Sequence, residues 1–174
     1  MYKRQPQEQV EIIDVAEEVA QALSLKAKNR EMKIRISSDE DLPQVTADRA
    51  QVKQVIQNLA DNALKYGLSG TEVTLGIKKC AQIPPSASFK TAPGEAVAIS
   101  VNNKGPKISP ENLARLTERF YRMQEHKDLN IKGTGLGLAI AKHIIIRHSG
   151  NLTVNSNGYN GTTFTLYLPV KQEN

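Results

Sequence analysis

Residues 48–66 read DRAQVKQVIQNLADNALKY, and this stretch carries the strongest helical pattern in the 174-residue chain. Asp48 precedes the pattern and Gln51 follows three residues later, a pair typical of a helix N-terminus. The apolar side chains then recur at spacings of three and four residues, as on one face of a helix: Val52, Val55, Ile56, Leu59, Ala60, Ala63 and Leu64. We predict an amphipathic helix that buries this face.

A polar side of the same helix, next to the apolar stripe, carries Asn58, Asn62 and Lys65. At about 100° per residue these side chains fall within about 60° of one another, beside the apolar stripe, where a helix borders a cleft. Carboxamides offer oxygen to a hard cation and N–H to phosphate, and lysine adds a point charge. A solvated helix face has the same composition, so the segment taken alone leaves both interpretations open.

Working outward, we predict helices over residues 10–29 and 136–149, the second ended by Gly150. A short helix over residues 110–116 has Ser109 as its cap. The pattern predicts strands over residues 32–36, 72–78, 96–102, 151–155 and 162–168.

The last two strands form a hairpin, whereas residues 79–95 are interpreted as an irregular surface loop. Strands bunched in this way favour an α+β fold. We expect a two-layer α/β sandwich in which three helices cover one face of a mixed sheet of about five strands.

Composition and charge exclude several classes of protein. The chain is 39% hydrophobic and 24% charged, as in a soluble globular domain. Its net charge of +5 is spread along the chain, which does not favour nucleic-acid binding. The single Cys80 excludes an internal disulfide and a multi-cysteine zinc site. No apolar run approaches the ~18 residues of a membrane span and no signal peptide is visible, so we expect a cytoplasmic protein.

A second candidate for ligand binding is the cluster Gly133, Gly135 and Gly137 at the start of the last long helix. Each glycine in a helix costs about 1 kcal/mol relative to alanine, so the cluster indicates close approach of a ligand to the backbone. N–H groups at the positive end of a helix bind phosphate. A flexible loop with tight helix packing is the alternative. The cluster is no Walker A loop, because no Lys-Ser/Thr follows, and no strand precedes it.

A third candidate is residues 101–108, VNNKGPKI, which leave a predicted strand. A polar side chain at a strand end followed by glycine is typical of a ligand contact, and equally of a turn.

Taken in order, these segments resemble the ATP-binding catalytic domain of sensor histidine kinases. Residues 54–66 are similar to the N box of that family, 101–108 to its first glycine box, 118–122 to its F box and 133–138 to its second glycine box. Four motifs in the expected order are far more specific than any one of them. Within the family, the chain looks most like the phosphate-regulon sensor subgroup.

The resemblance implies the Bergerat fold, shared with gyrase, mismatch-repair and heat-shock chaperone ATPases. It implies a connector remnant over residues 1–9 and an ATP-binding catalytic domain over residues 10–174. Mg-ATP lies between the N-box helix and a mobile lid, here about residues 109–134.

Site residues carry over by position. The resemblance implies that Asn62 holds Mg²⁺ with Asn58 assisting, and that Lys65 and Arg122 contact phosphate; Asn58, Lys65 and Arg122 are the catalytic candidates. Tyr66 lies beside the base or sugar. The remaining expected contacts are Asn103 and Gly105 at the adenine, and the backbone of Gly133, Thr134, Gly135, Leu136, Gly137 and Leu138 at the phosphates. Phe120 is expected to anchor the lid by packing.

Two positions depart from the family pattern. The adenine-reading aspartate of the family is Asn103 here, which replaces a charge-assisted hydrogen bond by a neutral one at a cost of about 1–3 kcal/mol. The second glycine of the first glycine box is Lys107, which adds about 1 kcal/mol of strain if the backbone there needs a positive φ. Lys104 and Lys107 alternatively offer new phosphate contacts.

Asn58 bears on the reaction. Hydrolysing relatives have a glutamate there as general base, and a carboxamide accepts no proton near neutral pH. The resemblance therefore implies transfer of the γ-phosphoryl group to a histidine on a separate dimerisation domain, for relay to an aspartate of a response regulator. His126 in the lid and His143 and His148 on the last helix lack the sequence context of that acceptor. His143 and His148 are expected to flank the sheet or a subunit contact.

We expect an isolated monomer that contacts neither nucleic acid nor membrane, in a full-length protein that is often membrane-anchored. The alternative is a degenerate module with weak or no nucleotide binding that acts through domain contacts.

Overall fold

The computed structural model describes residues 7–85, 92–123 and 135–170. Within these ranges the elements follow one another as β1 (Glu8–Val10), α1 (Ile12–Ala22), α2 (Ser24–Asn29), β2 (Lys33–Ser38), β3 (Val45–Ala47), α3 (Arg49–Tyr66), β4 (Glu72–Ile83), β5 (Ala92–Asn103), α4 (Pro110–Arg115), α5 (Gly137–Arg147), β6 (Asn151–Asn157) and β7 (Gly161–Pro169).

The main sheet has the strand order β2-β4-β5-β7-β6. β2 runs parallel to β4 and every other pair is antiparallel, so the sheet is mixed. One face of β4, β5 and β7 is apolar and fully buried, and α1, α3 and α5 share a single hydrophobic core with it. The predicted two-layer α+β sandwich with three main helices and a five-stranded mixed sheet is confirmed.

The N-terminal segment is more divided than its periodicity predicts. Instead of one helix over residues 10–29, α1 ends at Ala22 and α2 begins at Ser24. Leu23 between them leaves helical geometry, and the Ser24 hydroxyl donates to the carbonyl of Gln21. The same apolar face continues through both helices, which is why the periodicity does not reveal the break.

β1 pairs antiparallel with β3, as a separate two-stranded sheet. Glu8 pairs with Ala47 and Gln9 with Thr46, so both residues assigned by sequence to the connector hydrogen-bond with the domain.

The predicted loop over residues 79–95 is wrong at both ends, and residues 86–91 lie outside the described residues. β4 continues to Ile83 and β5 begins at Ala92, with a register shift between Cys80 and Gln82. Most side chains of residues 78–82 are exposed, so the apolar alternation that marks a strand is lost although the backbone ladder continues.

Two side chains hold the start of α3. The Asp48 carboxylate accepts from the N–H of Gln51 at 3.1 Å, which confirms the predicted cap. The buried His148, which follows α5, accepts from the N–H of Asp48 through Nε2 at 3.1 Å. Its Nδ1 lies 2.8 Å from the carbonyl of Ile144 and therefore carries the proton. His148 thus packs against α3, whereas His143 is exposed and His126 lies outside the described residues.

The end of α3 is held by a residue that the sequence analysis did not single out. Arg30 Nε donates to the carbonyl of Leu64 at 3.1 Å, and Arg30 Nη2 donates to the carbonyl of Gly67 at 2.9 Å. A cation at the negative end of a helix and donors for its last carbonyls are both stabilising. The N–H of Leu68 then donates to the carbonyl of Lys104, which joins this end to the segment after β5.

None of the helices in the described parts of the chain has the length and hydropathy needed to cross a bilayer.

We predict that His148→Ala lowers the free energy of unfolding by about 2–3 kcal/mol, because it leaves the partly buried N–H of Asp48 without its acceptor and removes a buried ring from the core. Urea unfolding followed by circular dichroism measures the change. His143→Ala, on the exposed side of the same helix, is the matched control and should change it by less than about 0.5 kcal/mol. Equal effects of the two variants would contradict this role of His148.

We also predict that Arg30→Met lowers the free energy of unfolding by about 1–2 kcal/mol, since the last carbonyls of α3 lose a charged donor. Arg35→Met removes the same charge from an exposed arginine whose side chain makes no hydrogen bond or ion pair with a described residue, and should be nearly neutral. Thermal melting of both variants measures the difference, and a melting temperature of Arg30→Met equal to that of Arg35→Met would refute the capping role.

Candidate functional site

A cavity of about 750 Å³ opens between α3, the segment after β5 and the start of α5. Its volume is within the usual range for small-molecule sites. Ten of the predicted site residues line it: Asn58, Asn62, Lys65, Tyr66, Asn103, Gly105, Arg122, Gly135, Gly137 and Leu138. Leu136 is the residue that precedes α5, and Gly133 and Thr134 lie outside the described residues.

The two carboxamides of α3 differ in what they contact. Asn58 Nδ2 donates to the carbonyl of Gly137 at 3.3 Å, which joins the middle of α3 to the first turn of α5. Asn62, one turn later, makes no side-chain hydrogen bond with any described residue. Both residues line the cavity, so their amide oxygens are suitable ligands for a hard cation there.

Lys65 is placed by an ion pair with Asp61, four residues earlier on α3. Lys65 Nζ lies 3.2 Å from Asp61 Oδ2, and Lys26 Nζ of α2 lies 2.7 Å from Asp61 Oδ1. Burial opposes ionisation of this carboxyl, but the hydrogen bond from Lys26 and the nearby charge of Lys65 outweigh it and hold the pKa of Asp61 below its usual value. Asp61 is therefore an anion shared by two cations.

Tyr66 and Arg122 form another part of the wall. Burial raises the pKa of the Tyr66 phenol above its ordinary value, the nearby charge of Arg122 partly offsets this rise, and that of Asp61 adds to it. The phenol is therefore neutral at physiological pH and offers one O–H. Arg122 is half-buried and brings a permanent charge to the same side of the cavity.

The predicted F box meets the second glycine box through its backbone. The N–H of Phe120 donates to the carbonyl of Gly135 at 2.9 Å. Gly135 has a φ of +75°, and a Cβ there would lie 2.7 Å from the carbonyl carbon of Phe120, so only glycine fits. The Phe120 ring itself is 70% exposed, on a residue whose φ is +62°. The Phe120 side chain therefore does not pack as expected, and Phe120 contacts Gly135 through its backbone instead; residues 124–134 of the expected lid lie outside the described residues.

α5 begins at Gly137 without a side-chain cap. Because Gly137 and Leu138 line the cavity, the positive end of the helix adjoins it. A Cβ at Gly137 would lie 4.0 Å from Asn58 Cγ, an ordinary contact. Packing therefore explains Gly135 but not Gly137, and for Gly137 the close approach of a ligand remains the better interpretation.

At the other end of the cavity the side chain of Asn103 is 7% exposed. Its Nδ2 donates to the carbonyl of Lys104 at 3.4 Å, and it pairs in register with the buried Thr162 of β7. Gly161 has a φ of +75°, and a Cβ there would overlap the carbonyl of Asn103. The close packing of β7 against Asn103 thus holds this residue in the wall of the cavity.

Lys107 carries no backbone strain, because its φ is not positive. The condition for strain from replacing a glycine at this position, a positive φ, is therefore not met. The exposed Lys107 side chain lies at the wall of the cavity, as the alternative of an added phosphate contact requires.

The residues present fit a divalent cation that arrives with its own anionic ligands. Among the described residues, no three or more His, Cys, Asp or Glu side chains are grouped as a metal site. Asp61, the acidic residue that lines the cavity, is committed to two lysines. The available donors are the neutral amide oxygens of Asn58 and Asn62, which suit Mg²⁺ only if phosphate oxygens supply the negative charge.

Several residues that line the cavity were not among the predicted site residues. Asp61 lies at the i,i+4 spacing of a helix ion pair with Lys65, a signal that was available. Arg30 and Thr162 also line the cavity, and both are brought there by tertiary packing that leaves no local pattern.

Residues 47–172 match the family described as histidine kinase-, DNA gyrase B-, and HSP90-like ATPase. Sensor histidine kinase WalK of Bacillus subtilis (strain 168) is 36% identical over 140 residues, which cover 80% of this chain and 21% of WalK. Sensor histidine kinase CusS of Escherichia coli O6:H1 is 31% identical over 161 residues, which cover 91% of this chain and 30% of CusS. The chain thus spans less than a third of the length of either relative.

Among solved structures, full-length ShkA in complex with AMPPNP has a TM-score of 0.76 at 25% identity, covering 99% of this chain and 33% of that one. The catalytic domain of histidine kinase ThkA shares the fold with a TM-score of 0.75 at 23% identity, covering 95% of this chain and 96% of that one. ThkA has also been solved in complex with the response regulator protein TrrA. The resemblance to sensor histidine kinase catalytic domains is therefore confirmed, and the chain belongs to the histidine kinase-, DNA gyrase B-, and HSP90-like ATPase family.

Proposed function

We propose that this chain is the catalytic domain of a sensor histidine kinase, which binds Mg-ATP and donates the γ-phosphoryl group to a histidine on a separate dimerisation domain. The observation that carries the proposal is the cavity itself, where Asn58, Asn62 and Lys65 of α3 lie beside the uncapped start of α5. Carboxamide oxygens, fixed cations and a helix N-terminus together are what a metal-bound triphosphate requires.

Each residue has a distinct part in this proposal. Asn62 holds Mg²⁺ and Asn58, already bonded to Gly137, assists it; the bound ion would neutralise charge on the phosphate oxygens. Lys65 and Arg122 add fixed positive charge to the phosphates from two sides of the cavity. The backbone at the start of α5 supplies N–H donors. Catalysis is then positioning and charge neutralisation, which is what phosphoryl transfer generally demands.

Asn58 favours transfer over hydrolysis. Its carboxamide cannot accept a proton from water, and its Nδ2 is bonded to a backbone carbonyl. The acceptor must therefore bring its own base, as a histidine with an acidic neighbour does. Steady-state ATP hydrolysis by the unmodified chain would contradict this and favour a gyrase-like ATPase.

The base of the nucleotide is assigned to the end of the cavity formed by Asn103 and Gly105. A Cβ on Gly105 would lie 3.3 Å from the carbonyl of Tyr66 and 3.4 Å from Asn103 Nδ2, so the wall is tight there. The buried Asn103 amide donates one N–H to the carbonyl of Lys104, which leaves one acceptor and one donor for the edge of a base, and Tyr66 lines the same cavity.

The proposed partners follow from relatives that are more than three times as long as this chain. We propose a connector over residues 1–9, a catalytic domain over residues 10–174, and a histidine-bearing dimerisation domain elsewhere in the full protein. A response regulator would receive the phosphoryl group, in keeping with the ThkA–TrrA complex. We propose that the isolated domain is a cytoplasmic monomer without nucleic-acid or membrane contacts.

One observation favours a second candidate function. Asn103 offers a neutral oxygen where the family pattern has a carboxylate, which weakens the contact with an adenine amino group. A module that kept the fold and lost nucleotide binding would act through domain contacts alone.

We predict that Asn62→Ala weakens binding of Mg-bound ATP analogue at least about tenfold, because the cation loses its main protein oxygen. Calorimetric titration with and without Mg²⁺ measures the change. Gln54→Ala is the matched control, since it removes an exposed carboxamide from α3 outside the cavity. If the two variants bound the nucleotide equally, Asn62 would not be the Mg²⁺ residue.

We predict that Asn103→Asp tightens ATP binding about ten- to a hundredfold, as a charge-assisted hydrogen bond replaces a neutral one. Micromolar, Mg²⁺-dependent binding by the unmodified chain would support the kinase. Absence of binding up to millimolar nucleotide, restored by Asn103→Asp, would instead favour the degenerate module.

A further inference from the structure

Two lysines from different helices bind opposite oxygens of one carboxylate. Lys26 Nζ of α2 lies 2.7 Å from Asp61 Oδ1, and Lys65 Nζ of α3 lies 3.2 Å from Asp61 Oδ2. The Asp61 side chain is 23% exposed, so it is only partly hydrated and depends on these partners for its charge.

Asp61 stands between two cavities. It lines the nucleotide cavity together with Lys65, and it also lines a second cavity of about 350 Å³ between α2 and α3. Lys26 lines only the second cavity. An anion in the first cavity therefore competes with Asp61 for Lys65, but has no access to Lys26 along that wall.

Lys26 is the stronger partner of the carboxylate. Its distance to Asp61 is the shorter one, and after the opposing effect of burial its hydrogen bond is the largest influence on the pKa of Asp61. When Lys65 leaves Asp61 to bind a phosphate, the Asp61 carboxylate still has Lys26 as a cationic partner. Without Lys26, the departure of Lys65 would leave a half-buried anion unpaired, which is costly.

We propose that Lys26 is a positioning residue for the nucleotide site: by neutralising Asp61 it leaves Lys65 available to phosphate. The inference rests on the proposed function, because it needs an anionic ligand at Lys65. Lys26 acts through Asp61 and Lys65 and does not touch the nucleotide.

A purely structural role makes a different prediction. Exposed ion pairs contribute little to stability, and Lys26 is 62% exposed. If the pair only tied α2 to α3, its removal would lower the melting temperature slightly and leave nucleotide affinity unchanged.

The test is calorimetric titration of variants with ADP in the presence of Mg²⁺. Lys26→Met should weaken binding about three- to tenfold, because Asp61 then retains Lys65. Lys26→Arg should keep normal affinity. The double variant Lys26→Met/Asp61→Asn should recover most of the lost ADP affinity, because the anion that competes for Lys65 is gone. In a chain that already carries Lys65→Met, adding Lys26→Met should not change the ADP affinity further.

The matched control is Lys53→Met, which removes the same charge from the wall of the second cavity. Lys53 Nζ is ion-paired with Glu18 at 3.7 Å and not with Asp61, whose partners are Lys26 and Lys65, so its loss reports only the general effect of charge on an anionic ligand. Melting curves of every variant show whether it is folded.

Equal affinities of Lys26→Met and Lys53→Met would overturn the inference, as would failure of Asp61→Asn to restore binding. Normal binding by Lys65→Met would also overturn it, while leaving the nucleotide site itself intact. Absence of ADP and ATP binding by the unmodified chain is distinguishable from all of these, and would overturn the proposed function together with the inference.

Discussion

The position of α3 is the constraint on which the rest of the molecule depends, because one helix supplies both the centre of the core and one wall of the cavity. Its apolar face packs against the sheet, while Asn58, Asn62 and Lys65 border the cavity. Side chains from elsewhere hold both ends: His148 accepts from the N–H of Asp48, the cap residue of α3, and Arg30 donates to the carbonyls at the end of the helix. A small rotation of this helix would expose apolar surface and move the polar groups together.

Much of the fold could be predicted because an element that buries only one face shows a clear spacing of apolar residues in the sequence. The apolar stripe of α3 and its Asp48 cap appear in the sequence as they do in the structure. The break between α1 and α2 was invisible, since both helices bury the same face. The outer ends of β4 and β5 were missed because a backbone ladder without buried side chains leaves no alternation.

The site divides in the same way. Residues on one helix face, such as Asn58 and Lys65, are brought together by local geometry, so their grouping could be anticipated. Arg30 and Lys26 reach α3 from another helix, and their roles depend on packing that no spacing encodes. Phe120 was misjudged for a related reason: its aromatic side chain suggested packing, whereas its contribution is an N–H donated to Gly135.

The small sheet of β1 and β3 has a mechanical consequence. Glu8–Val10 pairs with β3, and the N–H of Thr46 in β3 also donates to the carbonyl of Val170 beyond β7. The two flanks of the described domain therefore meet on the same three-residue strand. A load applied along the chain at either flank therefore acts in part on β3, which runs through Asp48 directly into the first turn of the helix that borders the cavity.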